Sequence, residues 1–291
     1  MYQAISGNRT KSALVLVLFV IILVALGYAF GEWTGVRELS AVALIFAIIS
    51  VVTSYYYSDR IVLAMSHARP AAKEQYPQLY NAVEGLSIAA GLPVPRIYVV
   101  DDSAPNAFAT GRDPQHAAIA VTTGLLQKLG RYELEGVIAH EMSHIGDYDI
   151  RFMTIVTVLV GTIALISDWM LRFSWFGGGR SRQRGGAGLI AVAGLVLALV
   201  APLAALLMQM ALSRTREYLA DAQGAMLTRY PDGLADALEK LAADTEPLEV
   251  ANKATACLYI VNPLTEHKGM INNLFDTHPP IEERVRRLRA M

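Results

Sequence analysis

The chain has 291 residues, a formal net charge of −1 and 54% hydrophobic residues, and its mean hydropathy of +0.36 lies above that of soluble proteins. The near-neutral charge gives no reason to expect nucleic acid as a partner. A single cysteine, Cys257, excludes an internal disulfide and a multi-cysteine metal cage, and reads as a small buried apolar residue.

The apolar excess is concentrated in blocks. Residues 13–31 and 39–58 are uncharged runs of 19 and 20 residues, and each is long enough to cross about 30 Å of hydrocarbon. The first is too long for the apolar core of a signal peptide and has no A-x-A cleavage site, so it reads as a retained span. Residues 152–171 carry Asp168 and Trp169 near their far end, and residues 185–213 form an uncharged run of 29 residues containing Pro202. Both are expected to span, with Asp168 at headgroup level and Pro202 kinking its helix. The alternative is a hydrophobic hairpin that dips into the membrane without crossing it. The G-G-G-R-S-R-Q-R-G-G stretch at 177–186 between them reads as a loop.

In the polar part that follows the second block, residues 70–91 are predicted to be helical, with Leu79, Val83 and Leu86 on one face and G-L-P at 91–93 as the stop. The period then changes. Residues 96–101, 107–110 and 117–122 are short apolar runs separated by Pro, Gly, Asp and Asn, the pattern of a small sheet. Residues 124–128 lead toward a helix whose Leu134, Val137 and Ile138 mark it as buried.

That helix carries H-E-M-S-H at 140–144. Positions i and i+4 share a helix face, so His140 and His144 can reach one ion while Glu141 faces a water, the minimum apparatus of zinc hydrolysis. A catalytic zinc takes a third protein ligand. Glu217, 73 residues beyond His144, is the candidate, and a helix-surface glutamate paired with Arg214 is the alternative. Asp221, one turn further, is placed to accept a hydrogen bond from the free ring nitrogen of a ligating histidine. Leu234, Leu238 and Leu241 follow at helical spacing and read as core, and Pro279–Pro280 fits the start of a last helix.

The split ligand set constrains topology. His140 and His144 precede the third apolar block and Glu217 follows the fourth, so an even number of crossings lies between them. The amino terminus, residues 59–151 and residues 214–291 therefore share one side. Arg9, Lys11, Arg60, Arg69, Lys73, Arg151, Arg214 and Arg216 flank the spans on that side, against Arg37, Arg172, Arg180, Arg182 and Arg184 on the other, which favours the cytoplasm.

With H-E-M-S-H, the motifs S-R-T-R-E-Y-L-A-D at 213–221, N-A-F-A-T-G at 106–111 and T-H-P-P-I-E-E-R at 277–284 occur in one order along nearly the whole chain. In these the sequence resembles the HtpX family of membrane-integrated zinc endopeptidases, which has more distant relatives among the CAAX prenyl proteases. The resemblance implies a bacterial inner-membrane enzyme with one zinc per chain, which clips misfolded or damaged membrane proteins at the cytoplasmic face. It marks Asn106, Ala107, Phe108 and Ala109 as the strand edge that holds substrate, with an ordinary structural strand as the alternative. It also offers His278 and Arg284 as groups that stabilise the oxyanion or shield the metal, against a simple turn and a helix-packing arginine.

The expected fold is mainly α, with four transmembrane helices and a zincin-like α+β catalytic domain built on a small sheet and the H-E-x-x-H helix. Residues 1–58 form the first helix pair, 59–151 the first catalytic half, 152–213 the second pair and 214–291 the second catalytic half. The rival readings are a site-specific processing protease of the CAAX type and a non-catalytic metal-binding scaffold in the bilayer.

Overall fold

The computed structural model describes residues 2–34, 38–162, 214–250, 255–261 and 279–291. Asp168, Pro202, His278, the loop at 177–186 and the fourth expected span lie outside the described residues, as does the end of the third.

Two long helices, α1 (Tyr2–Thr34) and α2 (Leu39–Met65), pack against each other as a hairpin. Their outer faces expose Leu14, Val17, Ile21, Ile45, Ile48 and Ile49, each more than half accessible. Exposed aliphatic area on this scale is unfavourable in water. Among the described residues one helix, Ala41–Met65, is long and apolar enough to cross a membrane, and the apolar stretch of α1, Ser12–Ala25, is shorter.

A short strand, β1 (Arg69–Pro70), precedes α3 (Pro77–Ala90). Proline at the first turn opens α3, and Gly91, in the left-handed region at φ 65°, closes it. The helix is shorter than the expected 70–91, because residues 69–70 are drawn into a ladder with Tyr98 and Val99. The remaining strands, β2 (Arg96–Val100), β3 (Ala107–Thr110) and β4 (Ala118–Thr122), fall within a residue of their predicted limits. The sheet order is β1-β2-β4-β3, with β2 parallel to β4 and both other pairs antiparallel, so β3 is an edge.

Strand alternation sorts the core into two layers. Val100, Phe108, Ala118 and Ala120 join Val15, Phe19, Val62 and Phe152 on the side of the long helices. Ile97, Val99, Ala107, Ala109, Ile119 and Val121 join Leu79, Val83, Val137, Ile138, Leu234 and Leu238 on the other. Burial on both faces explains why β3 and β4 read as continuous apolar runs without a polar side. Each such Leu, Ile, Val or Phe stabilises the fold by about 1.5–3 kcal/mol relative to exposure.

On the far side of the second layer lie α4 (Thr123–Lys128), α5 (Arg131–Gly146), α7 (Arg214–Thr228), α8 (Pro231–Ala243) and α9 (Ile281–Arg289). Between α5 and α7 in the chain, residues 149–162 are also helical (α6) and pack through Phe152, Val156 and Leu159 into the first layer. α5 is the hub and touches α3, α7, α8 and β3. Two glycines permit its close contacts. A Cβ on Gly136 would stand 2.6 Å from the Leu234 nitrogen on α8, and one on Gly224 of α7 would stand 3.1 Å from the His140 nitrogen.

Candidate metal centre and active site

α5 is buried on all sides from Gly136 to Gly146, so the turn that carries His140, Glu141 and His144 has no solvated face. α7 crosses it at Gly224 and brings in Glu217, and the three side chains meet. His140 Nε2 lies 3.2 Å from His144 Nε2, His144 Nε2 lies 3.4 Å from Glu217 Oε1, and His140 Nε2 lies 3.7 Å from Glu217 Oε2. Metal bonds of about 2.0–2.2 Å in a tetrahedron require ligand-to-ligand edges of about 3.3–3.6 Å. The three atoms already stand near the corners of such a site.

The opposite ring nitrogens explain why they do. His140 Nδ1 is 2.9 Å from Asp221 Oδ1, and His144 Nδ1 is 3.0 Å from Asp149 Oδ2. A carboxylate at Nδ1 holds the neutral ring's hydrogen there and leaves the lone pair on Nε2. The two Nε2 atoms can stand 3.2 Å apart only with a proton or a metal cation between them. The donor set thus fits zinc in number, spacing and tautomer.

Each carboxylate is in turn held by an arginine. Arg284 from α9 is buried and donates to both oxygens of Asp221, Nη2 at 2.7 Å and Nε at 2.9 Å. Its Nη1 donates to the Ile260 carbonyl at 3.1 Å and lies 3.7 Å from Glu217 Oε2. Arg216 Nη1 donates to Asp149 Oδ1 at 3.3 Å.

Burial and neighbours set the protonation of the group. Burial lowers the pKa of His140, and Asp221 only partly offsets it. At His144 burial also opposes the charge, but Asp149 and Glu217 overcome it and raise the pKa well above the imidazole range. Asp221, which burial would push up, is held low by Arg284. Burial of Glu141 raises its carboxyl to about 7; the Glu217 charge adds to this, and His144 and the Ala109 N–H oppose it. A divalent cation at the Nε2 atoms would take the place of the proton that Asp149 and Glu217 otherwise favour on His144.

Of the residues marked in the sequence, His140, Glu141, His144, Glu217, Asp221 and Arg284 converge in this one buried cluster. Asn106 and Ala107–Ala109 lie beside it, since β3 runs against α5. Two members were not expected. Asp149 reaches His144 because Asp147 and Tyr148 break the helix after Gly146, and Tyr148 takes a left-handed conformation, φ 62°, which turns the chain back. Arg216 was counted only as a flanking charge. The available signal was a second Asp five residues after His144, with a second Arg in the α7 motif to face it.

The family model described as Peptidase family M48 matches residues 73–291, which carry every part of this cluster. The chain belongs to peptidase family M48. Over its whole length it is 48% identical to a "Protease HtpX homolog" of Dictyoglomus thermophilum, covering 94% of that protein, and 47% identical to another of Thermoanaerobacter pseudethanolicus, covering 98%. The resemblance read from the four motifs is thereby borne out. In fold, the crystal structure of S. mikatae Ste24p is similar at a TM-score of 0.51 and 20% identity, over 99% of this chain and 67% of that one. Among the described residues the M48 architecture is mostly helical with one small mixed sheet.

Proposed function

We propose that this M48 member is a membrane-embedded zinc endopeptidase that hydrolyses peptide bonds of misfolded or damaged membrane proteins at the cytoplasmic face of the bacterial inner membrane. The observation that carries the reading is the buried convergence of His140, His144 and Glu217 from two helices, with Glu141 on the same turn. A zinc ion held by these three supplies Lewis-acid polarisation of a scissile carbonyl and makes a water easier to deprotonate.

The chain's own groups do the rest. Glu141, with its carboxyl near 7, is tuned to take the water's proton and pass it to the leaving amine at neutral pH. Asp221 and Asp149 fix the two imidazole tautomers. Arg284 grips both oxygens of Asp221 through Nη2 and Nε, so we assign it to positioning Asp221 and shielding the cluster, with the oxyanion left to the metal and to His278. The edge of β3, Asn106 to Ala109, aligns an extended substrate through main-chain hydrogen bonds.

Membrane embedding is supported by the exposed aliphatic faces of α1 and α2 and by the span-length helix Ala41–Met65. We further propose four spans, with the pairs at 1–58 and 152–213 enclosing the first catalytic half at 59–151 and preceding the second at 214–291. The ligand split still demands an even number of crossings between His144 and Glu217.

A digestion assay on casein and on a model membrane protein in detergent, with and without zinc and a chelator, tests the activity. Cleavage that stops with chelation and returns with zinc is expected. Proteolysis that persists in protein shown by elemental analysis to be metal-free would refute it.

A further inference from the structure

The strand edge assigned to substrate already has an occupant. Ile260 N–H donates to the Ala107 carbonyl at 3.0 Å, and the Ile260 carbonyl accepts from Arg284 Nη1 at 3.1 Å. Val261 sits against the Asn106 side chain, its carbonyl accepting from Nδ2 at 2.9 Å and its N–H lying 3.5 Å from Oδ1. Asn106 faces Val261 and Ala107 faces Ile260, so the dipeptide runs antiparallel to β3, as an added strand does. All three groups that hold it contact main chain only. Ala109, the other residue on this side of the strand, gives its N–H to Glu141.

Side chains anchor the segment on both faces. Ile260 is 2% exposed and lies in the core layer that contains Ala107 and Ala109. Tyr259 stands edge-on to Phe108, ring centres 5.1 Å apart, with its hydroxyl 3.4 Å from Ser66 Oγ at the end of α2. With the dipeptide in place, His140, Glu141 and Glu217 are 1%, 2% and 3% exposed. While Ile260 holds the Ala107 carbonyl, no second strand can pair with it.

We propose that Ile260–Val261 is an internal pseudosubstrate, which fills the main-chain positions an extended substrate must take and has to be displaced for catalysis. The inference rests on the peptidase reading above and deepens it. An occupant tethered in the same chain competes at an effective concentration on the order of millimolar. A folded protein, whose strands are already paired, does not displace it. An unfolded segment does so best when it offers an aliphatic residue to the space Ile260 vacates. The occupant thus restrains the enzyme against folded neighbours and selects extended, aliphatic stretches.

The test uses the full-length zinc-loaded Glu141→Gln protein in detergent, with amide exchange followed by mass spectrometry on fragments spanning residues 255–261. Saturating β-casein, an unfolded polypeptide, should speed exchange of the Ile260 amide by about tenfold or more. In a parallel measurement Ile260→Gly, which loosens the anchor and leaves Asn106, Ala107 and Arg284 intact, should raise kcat/KM for casein about three- to tenfold. Exchange that is unchanged or slowed by casein, or an Ile260→Gly enzyme no faster than wild type, while the wild type cleaves casein in a metal-dependent way, would overturn the pseudosubstrate alone. Absence of metal-dependent cleavage in both proteins would instead overturn the peptidase reading, and the pseudosubstrate with it.

Discussion

The two imidazoles of the metal cluster are supported by matching sets of residues that differ in how tightly they grip. His140 is backed by Asp221, and Asp221 by the buried, two-point grip of Arg284. His144 is backed by Asp149, and Asp149 by a longer contact from Arg216, whose side chain is 13% exposed. The first support ties the carboxyl-terminal helix α9 to the core, and the second ties α7 to the turn after α5. A buried ion pair with two short bonds is costly to break, whereas a longer contact from a less buried side chain contributes less. The Asp221 half of the centre is therefore the more rigid, and the Asp149 half the more yielding.

Both histidines must serve one ion for this asymmetry to matter, and the largest expected effects test whether they do. Glu217→Ala removes the carboxylate that faces both Nε2 atoms and should leave the purified protein without zinc. Glu141→Gln keeps all three ligands, so zinc content should stay at one equivalent while casein turnover falls by roughly a thousandfold or more. Elemental analysis beside a rate measurement separates the two. A Glu217→Ala protein that keeps a full equivalent of zinc would mean that the imidazoles bind metal without it, and the shared centre would dissolve.

Next in size come the two carboxylates. Asp221→Ala should weaken zinc about ten- to a hundredfold, as loss of a histidine's orienting partner does. It also leaves Arg284 buried without its counter-ion, and removal of one member of a buried pair costs about 3–5 kcal/mol. Asp149→Ala should weaken zinc within the same range but cost less stability, since Arg216 can turn to solvent. Chelator competition and thermal melts of the metal-free proteins provide both numbers. Equal losses of melting temperature would show the two supports to be equivalent, contrary to their geometry.

This asymmetry was half legible in the sequence. Asp221 stands four residues after Glu217, so helical periodicity alone placed it at the ligands. Asp149 stands five after His144, which on a continuous helix is the wrong face, and only the break at Tyr148 brings it round. A tyrosine in the left-handed region is imposed by tertiary packing, which local propensity does not register. The fold divides in the same way. β2, β3 and β4 were found because their apolar runs and turn residues are local signals, whereas Arg69–Pro70 pairs as β1 through contacts with Val99 and Tyr98 that no periodicity announces. Asn106 to Ala109 could be placed at a sheet edge, but not the segment covering it, because Ile260 lies more than 150 residues away in sequence.

The smallest expected effect lies at Arg216 and sets the limit of the comparison. Arg216→Met removes one 3.3 Å hydrogen bond to Asp149 but keeps an unbranched side chain that can lie against Phe152, over whose ring the guanidinium now sits at 5.5 Å. Asp149 retains His144 as a partner, so its carboxylate is not stranded. The longer Arg216 contact is weaker than the two-point Arg284 pair, and a ceiling of about 1 kcal/mol corresponds to about fivefold in an equilibrium constant. Zinc affinity should therefore fall by less than about fivefold, with kcat for casein almost unchanged. Arg284→Met in the same assay should lose far more of both, because it leaves the Asp221 charge buried with only His140 to meet it. Competition with a fluorescent chelator resolves a fivefold change readily, and an Arg216→Met protein as depleted of zinc as Arg284→Met would show that the long contact at the solvent edge grips as firmly as the buried pair.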